Sequence, residues 1–477
     1  MKILKNYLYN SAYQIFVLLV PLITIPYISR VLGPHGVGVN TVTYAYTQYF
    51  VLFATLGLTL YGQREIAYLK DDVHKLSKAF WEIEILSIIT TLFSVIAFTV
   101  FVMCIGKYKI YYLAQSLLIF SCAVDISWLF MGLEKFKITV LRNFVVKIAS
   151  ILLIFTFVKD KQDIFNYILI VSSTTLLGNL SLWPYLRIFI KKIRIRVLNP
   201  FKHFRPTLAL FIPQVAISIY SVLNKVMLGQ LSTVSSAGFF DSSDKIIRMC
   251  LTLVTAFTTV MMPQVANAFV RGENRKVKRM LNSGLSFAII MSFFLLAMIN
   301  GISGKFIPWF LGKEFTQVVS VINIESLAII PIACAGILGV QYLVPLNRNK
   351  QYTISIFIGA IVNIIINVPL ISTFSSDGAA VSTIVSEFCV TGAQFVFVRK
   401  DIALKKLFKT SAKVILSGVI VFLVVKEMTF LLPMNIYFLI LEGIIGTVLY
   451  CISLYLLKLG EIYDLLNLLL KRKGKKR

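Results

Sequence analysis

The chain has 477 residues, of which 58% are hydrophobic and only 14% are charged, and its mean hydropathy is +0.83. Soluble domains are about half apolar and about a quarter charged, so this composition excludes a soluble enzyme, a disordered chain and a disulfide-built secreted domain. The net charge of +27 could serve nucleic-acid binding, but a soluble nucleic-acid-binding domain would not carry this much apolar sequence. The sequence therefore predicts a membrane protein without a nucleic-acid partner.

Fourteen apolar runs are long enough to cross a bilayer, which takes about 20 residues in a helix. Every backbone polar group in lipid must be bonded within the protein, so runs of this length predict helices rather than barrel strands. The predicted spans are residues 10–32, 39–61, 79–104, 110–132, 141–158, 163–186, 207–230, 245–269, 280–300, 319–345, 353–373, 378–398, 411–426 and 434–457.

The basic residues indicate how these spans are oriented. With the N-terminus placed in the cytoplasm, the segments on that side hold 36 Lys and Arg residues and the outer segments hold 8. Basic residues concentrate on the cytoplasmic side of membrane proteins, so both termini are predicted to be cytoplasmic. The first run contains Pro21 and Pro26 and lacks a small-residue cleavage site, so we expect a first span rather than a signal peptide.

Similar spacings of Gly, Pro and Lys in spans 1–6 and 7–12 predict an internal duplication, with Gly38 and Gly238 as one matched pair. Because six is even, both copies enter from the same side, so the predicted repeat is parallel. The resulting organisation is an N-lobe over residues 1–190, a basic cytoplasmic linker over 191–206, a C-lobe over 207–400, two further spans over 401–457 and a basic cytoplasmic tail over 458–477.

The loops carry no recognisable catalytic pattern. The longest outer loop, about residues 301–318, leaves no room for a catalytic domain, and no G-x-x-x-x-G-K motif is present. The histidines His35, His74 and His203 are scattered over loops without metal-ligand spacing, so we expect them to be solvated and without a chemical role. The sequence therefore predicts a transporter rather than an enzyme, with no metal site.

Three stretches resemble a known family: residues 10–38, which contain PLITIPYISRVLGPHGVG, residues 125–143, which contain DISWLFMGLEKFKI, and residues 363–387, which contain NVPLI and DGAA. They resemble Wzx-type polysaccharide flippases of the multidrug/oligosaccharidyl-lipid/polysaccharide exporter superfamily. The resemblance implies two six-helix lobes around a central cavity, alternating access and a place in the bacterial cytoplasmic membrane. It also implies a cargo of undecaprenyl-pyrophosphate-linked oligosaccharide repeat units, moved to the outer leaflet for capsule, O-antigen or exopolysaccharide assembly.

Five cations in or beside spans are the predicted pyrophosphate-binding residues, because intramembrane charges are costly and usually functional. Arg30 and Lys225 lie near the outer ends of spans 1 and 7, Lys245 and Arg248 in the first turn of span 8, and Lys147 in the inner half of span 5. The alternative is that their side chains reach to the membrane interface. Five buried cations against three buried acids favour an anionic cargo.

The three acids are Asp125, Glu325 and Glu387. They are predicted to act as counter-ions or as groups that take up a proton or Na⁺, with ion pairs that only lock helices as the alternative. Four prolines are predicted to interrupt helices that face the cavity and to act as hinges of a gate: Pro21, Pro26, Pro213 and Pro263. Trp128 and the tyrosines Tyr44, Tyr46 and Tyr49 either stack on sugars or pack in the protein.

Two other readings stay open. One is a flippase for a lipid-linked peptidoglycan precursor, which differs only in the head group, and the other is a small-molecule exporter of the same superfamily. The expected partners are the lipid-linked oligosaccharide, membrane lipids and, by the resemblance, a polysaccharide polymerase and its chain-length machinery. We expect no cofactor; the driving force would be an H⁺ or Na⁺ gradient or the membrane potential.

Overall fold

The computed structural model describes residues 2–433 and 435–459, with side chains from residue 19 onward except at a few positions between 195 and 221 and at 406. Residues 460–477, most of the predicted basic tail, lie outside the described residues. The described residues form helices and connecting loops and contain no strand, which confirms the predicted all-α class. In chain order the helices are α1 (Lys2–Thr55), α2 (Leu58–Leu69), α3 (Val73–Cys104), α4 (Lys109–Cys122), α5 (Ser127–Gly132), α6 (Phe136–Phe157), α7 (Ile164–Leu180), α8 (Trp183–Phe189), α9 (Phe204–Leu231), α10 (Val234–Val270), α11 (Asn274–Leu311), α12 (Val318–Glu325), α13 (Ile329–Ala335), α14 (Asn349–Val398), α15 (Leu404–Leu431) and α16 (Ile436–Leu456).

Ten helical segments among the described residues are long and apolar enough to cross a membrane. They make the chain a multi-pass membrane protein, while the number of fourteen spans stays a prediction. Helix α14 has 50 residues and would be about 75 Å long if straight, more than twice the hydrocarbon thickness of a bilayer. A single uninterrupted span is therefore excluded for α14.

Helix α14 is an antiparallel hairpin of two helical arms that turns at Ser375. The backbone of Ser375 has φ 56° and ψ −127°, a conformation outside the helical region. The arms meet in register, because Asn363 Nδ2 donates to Ser382 Oγ (3.2 Å) and Gln394 Nε2 donates to Ser355 Oγ (3.0 Å). The two predicted spans 353–373 and 378–398 correspond to these two arms.

The chain divides into two compact units, a first over Met1–Gly238 and a second that begins at Phe239. Helix α9 belongs to the first unit, and the predicted lobe boundaries stay a prediction. Within the first unit, Gly38 and Gly238 pack against each other: a Cβ built on Gly238 would lie 2.9 Å from the Gly38 nitrogen. Only residues without a side chain permit such an approach. This contact does not test the predicted duplication, which stays a prediction.

The core of the first unit contains Trp128, which is 2% exposed and stacks on Phe80 with ring centroids 5.4 Å apart. Tyr46 is half-buried, and its ring lies 5.3 Å from that of Phe101 and 6.2 Å from that of Tyr112. Packing inside the protein, rather than stacking on sugars, therefore accounts for Trp128 and for the ring of Tyr46 in this structure.

Candidate functional site

The helix of the fourth predicted span is interrupted between Cys122 and Ser127. Residues 110–132 were expected to form one helix, but α4 ends at Cys122 and α5 begins at Ser127. Asp125 lies in this break, and its Oδ1 accepts a hydrogen bond from the backbone N–H of Ser127 (2.9 Å), the first residue of α5. Interrupted helices in membrane proteins occur where the backbone lines a cavity or is held by protein groups.

Side chains from three other helices bind the carbonyl groups that the break releases. Ser87 Oγ on α3 donates to the Cys122 carbonyl (3.3 Å). Asn179 Nδ2 on α7 donates to the Ser121 carbonyl (2.9 Å). The indole N–H of Trp183 on α8 donates to the Val124 carbonyl (3.0 Å). The break is thus a built feature, because an unpaired backbone carbonyl in this setting would destabilise the fold.

A groove of about 670 Å³ lies between α6 and the α7–α8 pair of the first unit. Its residues are Lys137, Ile138, Leu141, Arg142, Val145, Val146, Ala149, Leu153, Thr174, Leu177, Gly178, Ser181 and Tyr185. The wall from Val145 to Leu153 is apolar, and both cations, Lys137 and Arg142, are near the start of α6. The volume is in the range of ligand sites, about 300–1,000 Å³.

Arg142 joins this groove to the break. Its Nη1 donates to Asn179 Oδ1 (2.7 Å), and the same amide donates to the Ser121 carbonyl. Arg142 was not among the predicted site residues, although it falls inside the apolar run 141–158. A charge within an apolar run was the signal that could have identified it.

The predicted cations of the first unit lie elsewhere. Arg30 and Lys147 are exposed and Lys225 is half-buried on α9. Lys147 is two residues from both Val145 and Ala149, which places it about 200° around α6 from the groove wall. Cargo binding by Arg30, Lys147 and Lys225 stays a prediction.

In the second unit, Lys245 and Arg248 are ion-paired along α10. Lys245 Nζ is 2.6 Å from Asp241 Oδ2, and Arg248 Nε is 2.6 Å from Asp244 Oδ1. The expectation that both cations occupy the first turn of a span was wrong, because α10 begins at Val234. The polar residues within 235–244 hid this start, and five of them are buried by tertiary packing: Ser236, Asp241, Ser242, Ser243 and Asp244.

The expected excess of buried cations over buried acids was also wrong. Asp241 and Asp244 are buried, as are Glu82 and Glu84 on α3, and none of the four was in the predicted set. The charge tally therefore does not favour an anionic cargo. Glu325 accepts a hydrogen bond from Ser243 on α10. Glu387 is buried in the second arm of α14.

The predicted hinge prolines do not end their helices. α1 continues through Pro21 and Pro26, and α10 continues through Pro263. Their expected interruption of the helices was wrong, because a helix tolerates one missing N–H when its neighbours support it. Pro213 lies in α9, and its side chain is outside the described part of the chain. A hinge role for the four prolines stays a prediction.

His203, in the linker after α8, is buried and contacts two side chains of the first unit. The expectation that His203 is solvated was therefore wrong. This side chain is 1% exposed; His35 and His74 are exposed as expected. His203 Nδ1 is 2.7 Å from the hydroxyl of Tyr61, and Nε2 is 3.2 Å from Glu82 Oε2. Burial lowers the pKa of His203, against the opposing effect of Glu82.

Residues 3–269 match the family described as "Polysaccharide biosynthesis protein", which is more than half of the chain. The chain belongs to this family. Among its relatives is a protein of Escherichia coli strain K12 named "Putative O-antigen transporter", 26% identical over 402 residues that cover 83% of this chain and 97% of the relative. A protein of the same name from Shigella dysenteriae is 22% identical over 397 residues, which cover 81% and 97%.

This member of the polysaccharide biosynthesis family has a transporter fold. The structure of "Lipid II flippase MurJ, inward closed conformation" matches with a TM-score of 0.71 at 16% identity, over 94% of this chain and 98% of that one. An inward-facing multidrug resistance MATE family transporter of the MOP superfamily matches with a TM-score of 0.61 at 12% identity, over 83% and 99%. The family resemblance identified from the sequence motifs is confirmed.

Proposed function

We propose that the protein moves undecaprenyl-pyrophosphate-linked oligosaccharide repeat units from the cytoplasmic to the outer leaflet of the bacterial cytoplasmic membrane, by alternating access. The family and the two O-antigen transporter relatives support a role in moving lipid-linked polysaccharide. The groove between α6 and α7–α8 is the observation that carries the proposal, because its two halves match two parts of such a cargo.

The cargo combines a long prenyl chain with a diphosphate and a polar sugar head. The prenyl chain is soluble in lipid, whereas the diphosphate and the sugars cannot enter hydrocarbon without a large desolvation cost. In the groove, the apolar wall from Val145 to Leu153 suits the prenyl chain, and Lys137 and Arg142 suit the diphosphate. The stretch from Lys137 to Leu153 rises about 24 Å, close to one hydrocarbon thickness. With the predicted topology, the basic end faces the cytoplasm, where the cargo is made.

Arg142 also connects the groove, through Asn179, to the Ser121 carbonyl at the break. An anion that draws Arg142 away from Asn179 would disturb the amide that holds the Ser121 carbonyl at the break. Cargo binding and the geometry of the broken span are then coupled through one side chain. In the second unit, Lys245 and Arg248 would act on the cargo only when their ion pairs open.

Further parts of the proposal concern the cycle as a whole. Arg30, Lys147 and Lys225 are candidates for later contacts with the diphosphate, and an H⁺ or Na⁺ gradient or the membrane potential is the candidate driving force. Both termini are cytoplasmic in this proposal, and a polymerase and its chain-length machinery receive the exported units.

A peptidoglycan-precursor flippase is the second candidate. Over 142 residues the chain is 25% identical to "Lipid II flippase MurJ" of Bacillus subtilis strain 168, which covers 26% of that protein. The groove would suit either prenyl diphosphate, so the sugar head distinguishes the two functions. The match to the O-antigen transporter of Escherichia coli extends over 83% of the chain and favours the first.

Vesicle translocation tests the proposal directly. The purified protein would be placed in vesicles with a fluorescent polyprenyl-diphosphate oligosaccharide, with lipid II, or with a cationic drug. We expect translocation of the oligosaccharide. Arg142→Gln should lower its rate by about tenfold or more, equivalent to about 1.4 kcal/mol of lost interaction. Lys107→Gln, on an exposed loop, is the matched control and should retain the rate.

Each contrary result has a definite meaning. Movement of lipid II without the oligosaccharide would establish the second candidate instead. Movement of the drug alone would make the protein a small-molecule exporter. Full activity of Arg142→Gln would remove the groove from the cargo path.

A further inference from the structure

Helix α3 carries two buried glutamates, two residues apart, in opposite electrostatic settings. Glu82 Oε1 accepts the backbone N–H of Asn199 (2.9 Å), while Glu82 Oε2 is 2.5 Å from Lys202 Nζ and 3.2 Å from His203 Nε2. Glu84 is 1% exposed. Neither of its carboxyl oxygens has a hydrogen-bond partner among the residues that the structure describes.

Helix geometry turns these two glutamates to different sides of α3, because two residues correspond to about 200° of rotation. Glu84 shares its side with Ser87, three residues on, whose hydroxyl donates to the Cys122 carbonyl in the break between α4 and α5. The carboxyl group of Asp125, in the same break, lies within electrostatic range of Glu84. Among the described residues, the titratable group that acts electrostatically on Glu84 is the carboxyl of Asp125.

A second buried group on this side of α3 also lacks a partner. Thr91 follows Glu84 by two helical turns and is 2% exposed. Its hydroxyl makes no hydrogen bond within the described part of the chain. This side of α3 thus carries two buried side chains, Glu84 and Thr91, whose hydrogen-bonding groups find no partner among the described residues.

A buried carboxylate without donors is strongly disfavoured, and such a group takes up a proton instead. A protonated Glu84 has one O–H to donate, and the negative charge of Asp125, which is within electrostatic range, favours that protonated form. We propose that Glu84 and Asp125 together bind one exchangeable proton at the break in the fourth span. Asp125 is partly exposed, so it provides the route by which the proton comes from water and returns to it.

Carbodiimide labelling tests this site on the purified full-length protein. Dicyclohexylcarbodiimide modifies protonated carboxyl groups in apolar surroundings, and peptide mass spectrometry locates the label. Between about pH 6 and about pH 9, we expect label on Glu84 or Asp125 that declines as the pH rises. Glu134 is the control, because it is exposed and lies 3.1 Å from Lys70; it should take several-fold less label.

Isosteric variants provide a second measurement that does not depend on reagent access. Glu84→Gln replaces one neutral group by another of the same shape, so the thermal unfolding midpoint should stay unchanged. Glu82→Gln removes a paired negative charge and should lower the midpoint by several degrees. Asp125→Asn keeps a side-chain oxygen that can accept the backbone N–H of Ser127 but removes the negative charge of Asp125. The labelling curve of Glu84 should therefore move to lower pH.

Three results would overturn the proposal. Glu84→Gln could destabilise the protein as much as Glu82→Gln, which would make Glu84 an ionised, paired group. Glu84 and Asp125 could label no more than Glu134 at every pH. Sodium chloride, but not potassium chloride, could protect both residues at constant pH, which would make the site one for Na⁺ rather than for a proton.

Discussion

The break between α4 and α5 and the turn of the α14 hairpin both interrupt a membrane helix, but they are held in different ways. At the break, the released carbonyl groups bind side chains from three other helices: Ser87, Asn179 and Trp183. At the hairpin, hydrogen bonds such as that between Asn363 and Ser382 join the two arms to each other. Further bonds reach α12 and α13, because Ser320 donates to Asp377 and Thr391 donates to the Pro331 carbonyl. A discontinuity can therefore be stabilised by the surrounding unit or by its own two arms.

This difference bears on motion. In the hairpin, the bonds between Asn363 and Ser382 and between Gln394 and Ser355 hold the two arms together. The break changes shape whenever α3, α7 or α8 shifts, and Arg142 ties it to the groove. If an anion binds Arg142 or a proton binds at Glu84 and Asp125, as proposed, we expect the geometry of the break to change.

The largest expected effect concerns the hairpin. A Cβ on Gly378 would lie 2.0 Å from the Leu370 carbonyl oxygen, a backbone atom that cannot move aside alone. Gly378→Ala should therefore destabilise the protein by about 3 kcal/mol, measured by thermal unfolding in detergent. Gly392→Ala is the control in the same helix, where the described residues leave open space. Helix propensity should make Gly392→Ala neutral or stabilising by up to about 1 kcal/mol. Equal effects of the two variants would refute the close packing of Gly378 at the turn of the hairpin.

An intermediate effect is expected at the break. Asn179→Ala leaves the Ser121 carbonyl without its donor and Arg142 without the amide, which should destabilise the protein by about 1–3 kcal/mol and also slow transport. Asn363→Ala in the hairpin should lower stability by a similar amount but leave transport per folded molecule unchanged. The comparison fails if Asn179→Ala transports normally after correction for folded protein.

The smallest effect is a pH dependence at the linker. Burial lowers the pKa of His203 in the folded protein, so the unfolded chain, with a pKa of about 6.5, binds the proton first as the pH falls. The stabilising contribution is then complete above about pH 6.5 and is lost as the pH falls through the lower folded value. Unfolding midpoints at about pH 7.5 and about pH 5.5 should differ less in His203→Gln than in wild type. Substitution of the exposed His74 should not alter the difference.

Several features of the protein could be predicted from the sequence alone. The apolar runs predicted an all-α membrane protein, and the motifs around residues 10–38 and 125–143 identified the family. Arg142, Glu84 and Asp244 were missed, because a count of charges along the chain does not show which polar side chains meet inside a unit.

Hydropathy and composition by themselves determined that this chain crosses a membrane and is helical, because a bilayer requires every backbone polar group to be bonded within the protein. Only the tertiary structure decided where the helices break and what each charge contacts. Glu82 and Glu84 make the point: they are the same residue type, two positions apart, and one is fully paired while the other has no partner among the described residues. Their settings depend on groups more than thirty residues away along the chain, which no local pattern encodes.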